Sequence, residues 1–112
     1  MKLIWLDDIR NPKKFCKTYN DYNEIIWVKN FKEFIYAINS NYKNPNDISI
    51  SFDHDLGEDA TGYDCAKYLV NFCLDYNLNL PKNIFVHSAN PVGAENIRML
   101  LKNFDLYKRC GI

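Results

Sequence analysis

The sequence predicts an α/β domain: a three-layer arrangement with a parallel sheet of about four strands and helices on both faces. Three observations carry this reading. Short apolar runs recur along the 112 residues, at 2–7, 24–29, 48–52 and 84–86. Between them lie segments whose apolar residues repeat three and four apart, the period of a helix packed on one side. Strands that alternate with helices in this way close into a parallel sheet through right-handed crossovers.

Each element has its own local reason. Lys2-Leu3-Ile4-Trp5-Leu6-Asp7 is mostly apolar and ends abruptly in acid, which suits a buried strand. Asn11-Pro12 opens a lysine-rich connection with a short helix near 12–18. Glu24 to Lys29 forms the second strand. Asn30 stands where an N-cap belongs, with Glu33 three residues on, and Phe31, Phe34, Ile35 and Ile38 mark the buried face of the helix that follows. Asn44-Pro45-Asn46-Asp47 is a loop. Ile48 to Phe52 alternates apolar residues with serine and ends at Asp53, giving the third strand. After a polar loop over Gly57–Thr61, Thr61 and Asp64 are spaced as a capping box. The helix they open turns Tyr63, Ala66, Leu69, Val70, Cys73 and Leu74 inward. Pro81 precedes the fourth strand, Ile84-Phe85-Val86. Pro91 suits the first turn of a last helix, in which Ile97, Leu100, Leu101 and Phe104 recur. Neither a repeat nor a linker interrupts the pattern, so residues 1–112 read as one domain.

Composition narrows the function classes. With 14 Lys+Arg against 14 Asp+Glu the formal net charge is zero, which argues against a broad basic surface and sequence-specific nucleic-acid binding. At 47% hydrophobic and 25% charged, the chain is that of a globular protein. Its apolar runs fall far short of the ~20 residues that span a bilayer. No secretory leader is recognisable either, so a cytoplasmic location without membrane association is expected. Cys16, Cys65, Cys73 and Cys110 show no metal-ligand spacing and read as free thiols in a reducing compartment.

In parallel sheets ligands sit beyond the carboxyl ends of the strands, where strand order reverses. Here those ends carry unusual chemistry. The first strand runs into Asp7-Asp8 and then Arg10. The third runs into Asp53-His54-Asp55, and the fourth into His87-Ser88-Ala89-Asn90. If these strands are neighbours, four carboxylates and both histidines of the chain meet at one edge. Carboxylates gathered this way repel one another, and a hard divalent cation such as Mg²⁺ or Mn²⁺ relieves the repulsion. Asp7, Asp8 and Asp53 are the candidate ligands. Plainer readings compete: Asp8 as the cap of the first helix, Ser88 to Pro91 as a turn and helix start, and Glu58-Asp59 as a solvated surface.

An acid pair after strand one, an acid after strand three and a hydroxyl (Ser88) after strand four resemble the receiver domain of response regulators. A receiver also has a lysine ending a fifth strand and a fifth helix, which are not found here, and His54 and His87 are not receiver residues. Over residues 2 to about 104 the chain is more similar to the cyclic-phosphate-processing receiver-like family of bacterial and phage proteins. The matching motifs are Trp5-Leu6-Asp7-Asp8-Ile9-Arg10-Asn11-Pro12, Ser51-Phe52-Asp53-His54-Asp55-Leu56-Gly57, Thr61-Gly62-Tyr63-Asp64 and Val86-His87-Ser88-Ala89-Asn90-Pro91-Val92-Gly93.

This resemblance implies a flavodoxin-like or receiver-like fold without the last receiver strand and helix. It also implies hydrolysis of a cyclic phosphate or related phosphoester, of nucleotide or ADP-ribose type. In that reading Asp7, Asp8 and Asp53 hold the divalent ion, and His54 and His87 exchange protons, with Asp53 and Asp55 beside them. Arg10, Ser88 and Asn90 donate to phosphate oxygens. The expected partner is a small phosphorylated or cyclic-nucleotide ligand. Two rival readings are a protein that sequesters a cyclic nucleotide without cutting it and a signalling receiver phosphorylated on Asp53.

Overall fold

A computed structural model describes residues 1–110. Its elements, in chain order, are β1 (Lys2–Leu6), α1 (Pro12–Phe15), a 3₁₀ turn (Tyr19–Asp21), β2 (Glu24–Val28), α2 (Phe31–Asn41), β3 (Ile48–Phe52), α3 (Gly62–Tyr76), β4 (Asn83–Val86) and α4 (Pro91–Arg109). The four strands form one parallel sheet in the order β2-β1-β3-β4. Connection to β2 on one side and to β3 on the other puts the reversal point beside the end of β1. The receiver-like α/β fold expected from the sequence is present.

The helix boundaries have chemical causes. Asn30 Oδ1 accepts the Glu33 N–H, while Glu33 Oε1 reaches back to the Lys29 N–H, one residue short of a true capping box. Thr61 and Asp64 do form the reciprocal box that opens α3. Asn90 accepts the Gly93 N–H, with Pro91 in the first turn of α4. The first helix is shorter than its expected span, because Cys16 already takes an extended backbone at φ −89°, ψ 112°. Its cap is Asn11, which accepts the Lys13 N–H, so Asp8 is left for other work.

Ile4, Leu6, Ile48, Ile50 and Phe52 point from the sheet into the main core. They meet Phe34, Ala37 and Ile38 of α2, Cys65, Ala66, Leu69 and Cys73 of α3, and Ile97, Leu101 and Phe104 of α4. One inward position of α3 needs correcting. Leu74, expected inside, is 48% exposed, and Cys65 is buried instead. The buried positions Cys65, Ala66, Leu69 and Cys73 keep a narrow stripe, and Leu74 sits a third of a turn off it near the end of the helix.

The second sheet face carries a lighter layer. Leu3, Trp5, Ser51, Phe85 and His87 line an open pocket of about 270 Å³ there together with residues between Phe15 and Tyr22, and Phe85 stays half-exposed. All four cysteines are free. No helix of the described residues is long and apolar enough to cross a membrane.

Candidate active site

The β1 and β3 ends place their acids side by side. Asp7, Asp8 and Asp53 each offer a carboxylate oxygen, and these oxygens lie within 4.8 Å of one another. Asp7 is fully buried and Asp53 is 5% exposed. Asp7 Oδ1 accepts the backbone N–H groups of Ile9 (3.0 Å) and Arg10 (2.8 Å), which folds the loop around the carboxylate. Its Oδ2 accepts His87 Nε2 at 3.1 Å and Arg10 Nη1 at 3.4 Å. The same guanidinium nitrogen stands 3.8 Å from Asp53 Oδ1. Arg10 is thus the built-in counter-charge of the acid pair.

The electrostatics follow from burial. Loss of solvent, and next the charge of Asp7, hold the Asp53 carboxyl above its ordinary range. The Ser88 hydroxyl, the His54 N–H and Arg10 pull in the opposite direction. Burial also lowers His87, against the hydrogen bond and charge of Asp7. An all-oxygen, mutually repelling donor set, two of its three acids buried, suits a hard divalent cation, so Asp7, Asp8 and Asp53 fit the expected ligand set.

The other candidates form a second group beside the first. His54 Nδ1 lies 3.1 Å from Asp55 Oδ1 and 3.5 Å from Asn90 Nδ2, and Asn90 Nδ2 also reaches Asp55 Oδ2 at 3.4 Å. Asp55, with a side chain 69% exposed, stands outside the carboxylate cluster. Two glycines permit the packing. A Cβ on Gly93 would fall 2.3 Å from His54 Cγ, so the ring rests on the first turn of α4. A Cβ on Gly62 would come within 1.8 Å of the Asp53 carbonyl oxygen. Ser88 Oγ accepts the Asn90 N–H at 3.1 Å and organises the turn into α4. Glu58 is more than solvated surface, because its Oε2 accepts the Phe31 N–H at the start of α2.

Three supporting residues escaped the sequence reading of roles. Trp27 Nε1 donates to the Asp7 carbonyl at 2.7 Å, and Trp5 Nε1 to the Arg10 carbonyl at 2.9 Å, so two indoles fix the acid-bearing loop. Ser51 Oγ lies 2.6 Å from His87 Nδ1. A tryptophan in a strand reads as core, and only the partner across the loop reveals the use of its N–H.

The chain is similar to one described family. The family model for the cyclic-phosphate processing receiver domain matches residues 2–103. No curated protein matches the chain. A solved fusion described as a yeast trimeric coiled coil joined to another structure superimposes with a TM-score of 0.55 at 18% identity. The alignment covers 89% of this chain and 63% of that one, and at this identity the likeness is one of fold alone.

Proposed function

The chain belongs to the cyclic-phosphate processing receiver domain family, and from that premise we propose that it hydrolyses a cyclic phosphate or related phosphoester at the carboxyl edge of its sheet. The observation that carries the reading is the gathering of Asp7, Asp8 and Asp53 within 4.8 Å, with two histidines on the flanking loops.

Asp7, Asp8 and Asp53 would hold a divalent ion, whose chemistry is to neutralise phosphate oxygens and lower the pKa of a bound water. The remaining work belongs to the side chains. Asp55 Oδ1 is placed to accept a hydrogen bond from His54 Nδ1–H, the tautomer that leaves the Nε2 lone pair to receive a proton from water. Arg10 shares its charge between Asp7 and Asp53, and can turn one N–H toward an anionic oxygen when a cation takes over that neutralisation. Ser88 and Asn90 add donors at the start of α4.

The test is metal-dependent hydrolysis of a panel of 2′,3′-cyclic, 1″,2″-cyclic and cyclic-dinucleotide phosphates. Turnover of at least one member with Mg²⁺ or Mn²⁺ is expected, reduced about 10²–10⁴-fold in His54→Ala. Tight binding with the ligand recovered intact would favour sequestration. Stable labelling by acetyl phosphate, lost in Asp53→Asn, would favour a phospho-accepting receiver.

A further inference from the structure

Ser51 lies in β3, 3% exposed, on the sheet face away from the main core. Its Oγ is 2.6 Å from His87 Nδ1, and the opposite ring nitrogen, Nε2, is 3.1 Å from Asp7 Oδ2. Trp5 stacks on the imidazole at 3.9 Å between centroids and 5° between planes, which fixes the plane of the ring. Asp7 already accepts two backbone N–H groups and the Arg10 guanidinium, so its oxygens are placed as acceptors. The hydrogen in the His87–Asp7 contact therefore belongs to Nε2. In the tautomer that carries its hydrogen on Nε2, Nδ1 is an acceptor, and the Ser51 hydroxyl 2.6 Å away is placed to donate to it.

We infer that Ser51 is a positioning residue: its hydroxyl fixes His87 as an Nε2–H donor that holds the Asp7 carboxylate in place. Both ring nitrogens of His87 are engaged in this line, so His87 supports an acid and proton transfer falls to His54. This last assignment rests on the hydrolytic reading; the Ser51–His87–Asp7 arrangement does not.

The experiment has a spectroscopic arm and a kinetic arm. Two-bond ¹H–¹⁵N correlation spectra of the histidine-labelled full chain should show His87 as the Nε2–H tautomer. In Ser51→Ala the Nδ1 resonance should move toward that of an unbonded acceptor, and Ser51→Thr should restore it. A wild-type Nδ1–H tautomer, or an unmoved Nδ1 resonance in Ser51→Ala, overturns the inference. In kinetics, His87→Gln keeps an N–H for Asp7 but cannot exchange protons. It should retain activity within about tenfold of wild type, while His87→Ala loses on the order of 10–100-fold, the scale seen when supports of metal ligands are removed. Equal loss in both returns His87 to proton transfer. Should His87→Ala fail to fold, a loss of more than about 100-fold in His87→Gln has the same meaning. A wild-type protein that cleaves nothing would sink the hydrolytic reading alone, and the spectra would still decide the role of Ser51.

Discussion

At the scale of single residues, the cost of the site is concentrated in Asp53. Its carboxyl is held above its ordinary 3.8 by burial and by Asp7, so the native state binds this proton more tightly than the unfolded chain. Stability attached to that proton is complete below pH 3.8 and is lost as pH rises through the raised native value. At neutral pH the wild-type fold therefore carries a penalty that an uncharged isostere removes. Asp53→Asn keeps an oxygen for the His54 N–H, and should melt at a higher temperature than wild type at pH 7. The gain should shrink as pH approaches 3.8. In the same variant, metal affinity should fall by at least about 10–100-fold, and Mg²⁺ or Mn²⁺ should no longer raise the melting temperature. Thermal melts across pH, with and without metal, check both halves. A lower melting point at pH 7 would show that Asp53 stabilises the apo fold, against this account.

At the scale of elements, the loops that bear the site are fastened by ordinary helix chemistry. The Thr61–Asp64 box starts α3 directly behind the Asp53–Asp55 loop, and the Gly62 N–H donates to the His54 carbonyl at 2.7 Å. Thr61→Ala should cost about 1 kcal/mol, read as a shift in denaturant midpoint with unchanged slope. The Thr61 N–H, the largest cause, holds the Asp64 carboxyl below its ordinary range. Its contribution is therefore present above the unfolded value and disappears as pH falls through the lowered native one. Thr61→Ala keeps that N–H, so most of its deficit should persist in acid, whereas the deficit of Asp64→Ala should narrow there. This box was legible in the sequence, as were the Asn30 cap, the helix start at Pro91 and the acids at the strand ends, because each depends on neighbours a few residues apart. Leu74 was not, since a one-residue step on a helix decides between core and solvent. Nor were the uses of Ser51, Trp5 and Trp27, whose partners are fixed only once β1, β2, β3 and the loop after β4 stand side by side. Arg10 shows the same limit: the sequence suggests a phosphate contact, and only the folded distances add its place between Asp7 and Asp53.

At the scale of the whole molecule, charge is balanced in sum and uneven in place. The chain has 14 basic and 14 acidic residues, yet Asp7, Asp8, Asp53, Asp55, Glu58 and Asp59 all follow β1 or β3 at one end of the sheet. Arg10 stands among them, within 4 Å of both Asp7 and Asp53. An anionic ligand approaching this end without a cation meets a negative field, and salt weakens that repulsion. Binding of a cyclic mononucleotide to metal-free protein should therefore tighten as ionic strength rises from about 0.01 to 0.1 M, over which the screening length falls from roughly 30 to 10 Å. With Mg²⁺ or Mn²⁺ bound the ion and Arg10 offset the charge of Asp7, Asp8 and Asp53, the field at this end weakens, and the same increase in salt should tighten binding less than it does without metal. Titration calorimetry at several salt concentrations, with and without the metal, measures both slopes. Tighter metal-free binding at low salt would mean that Arg10 and the first turn of α4 outweigh the acids, and that the anion docks without the help of a metal.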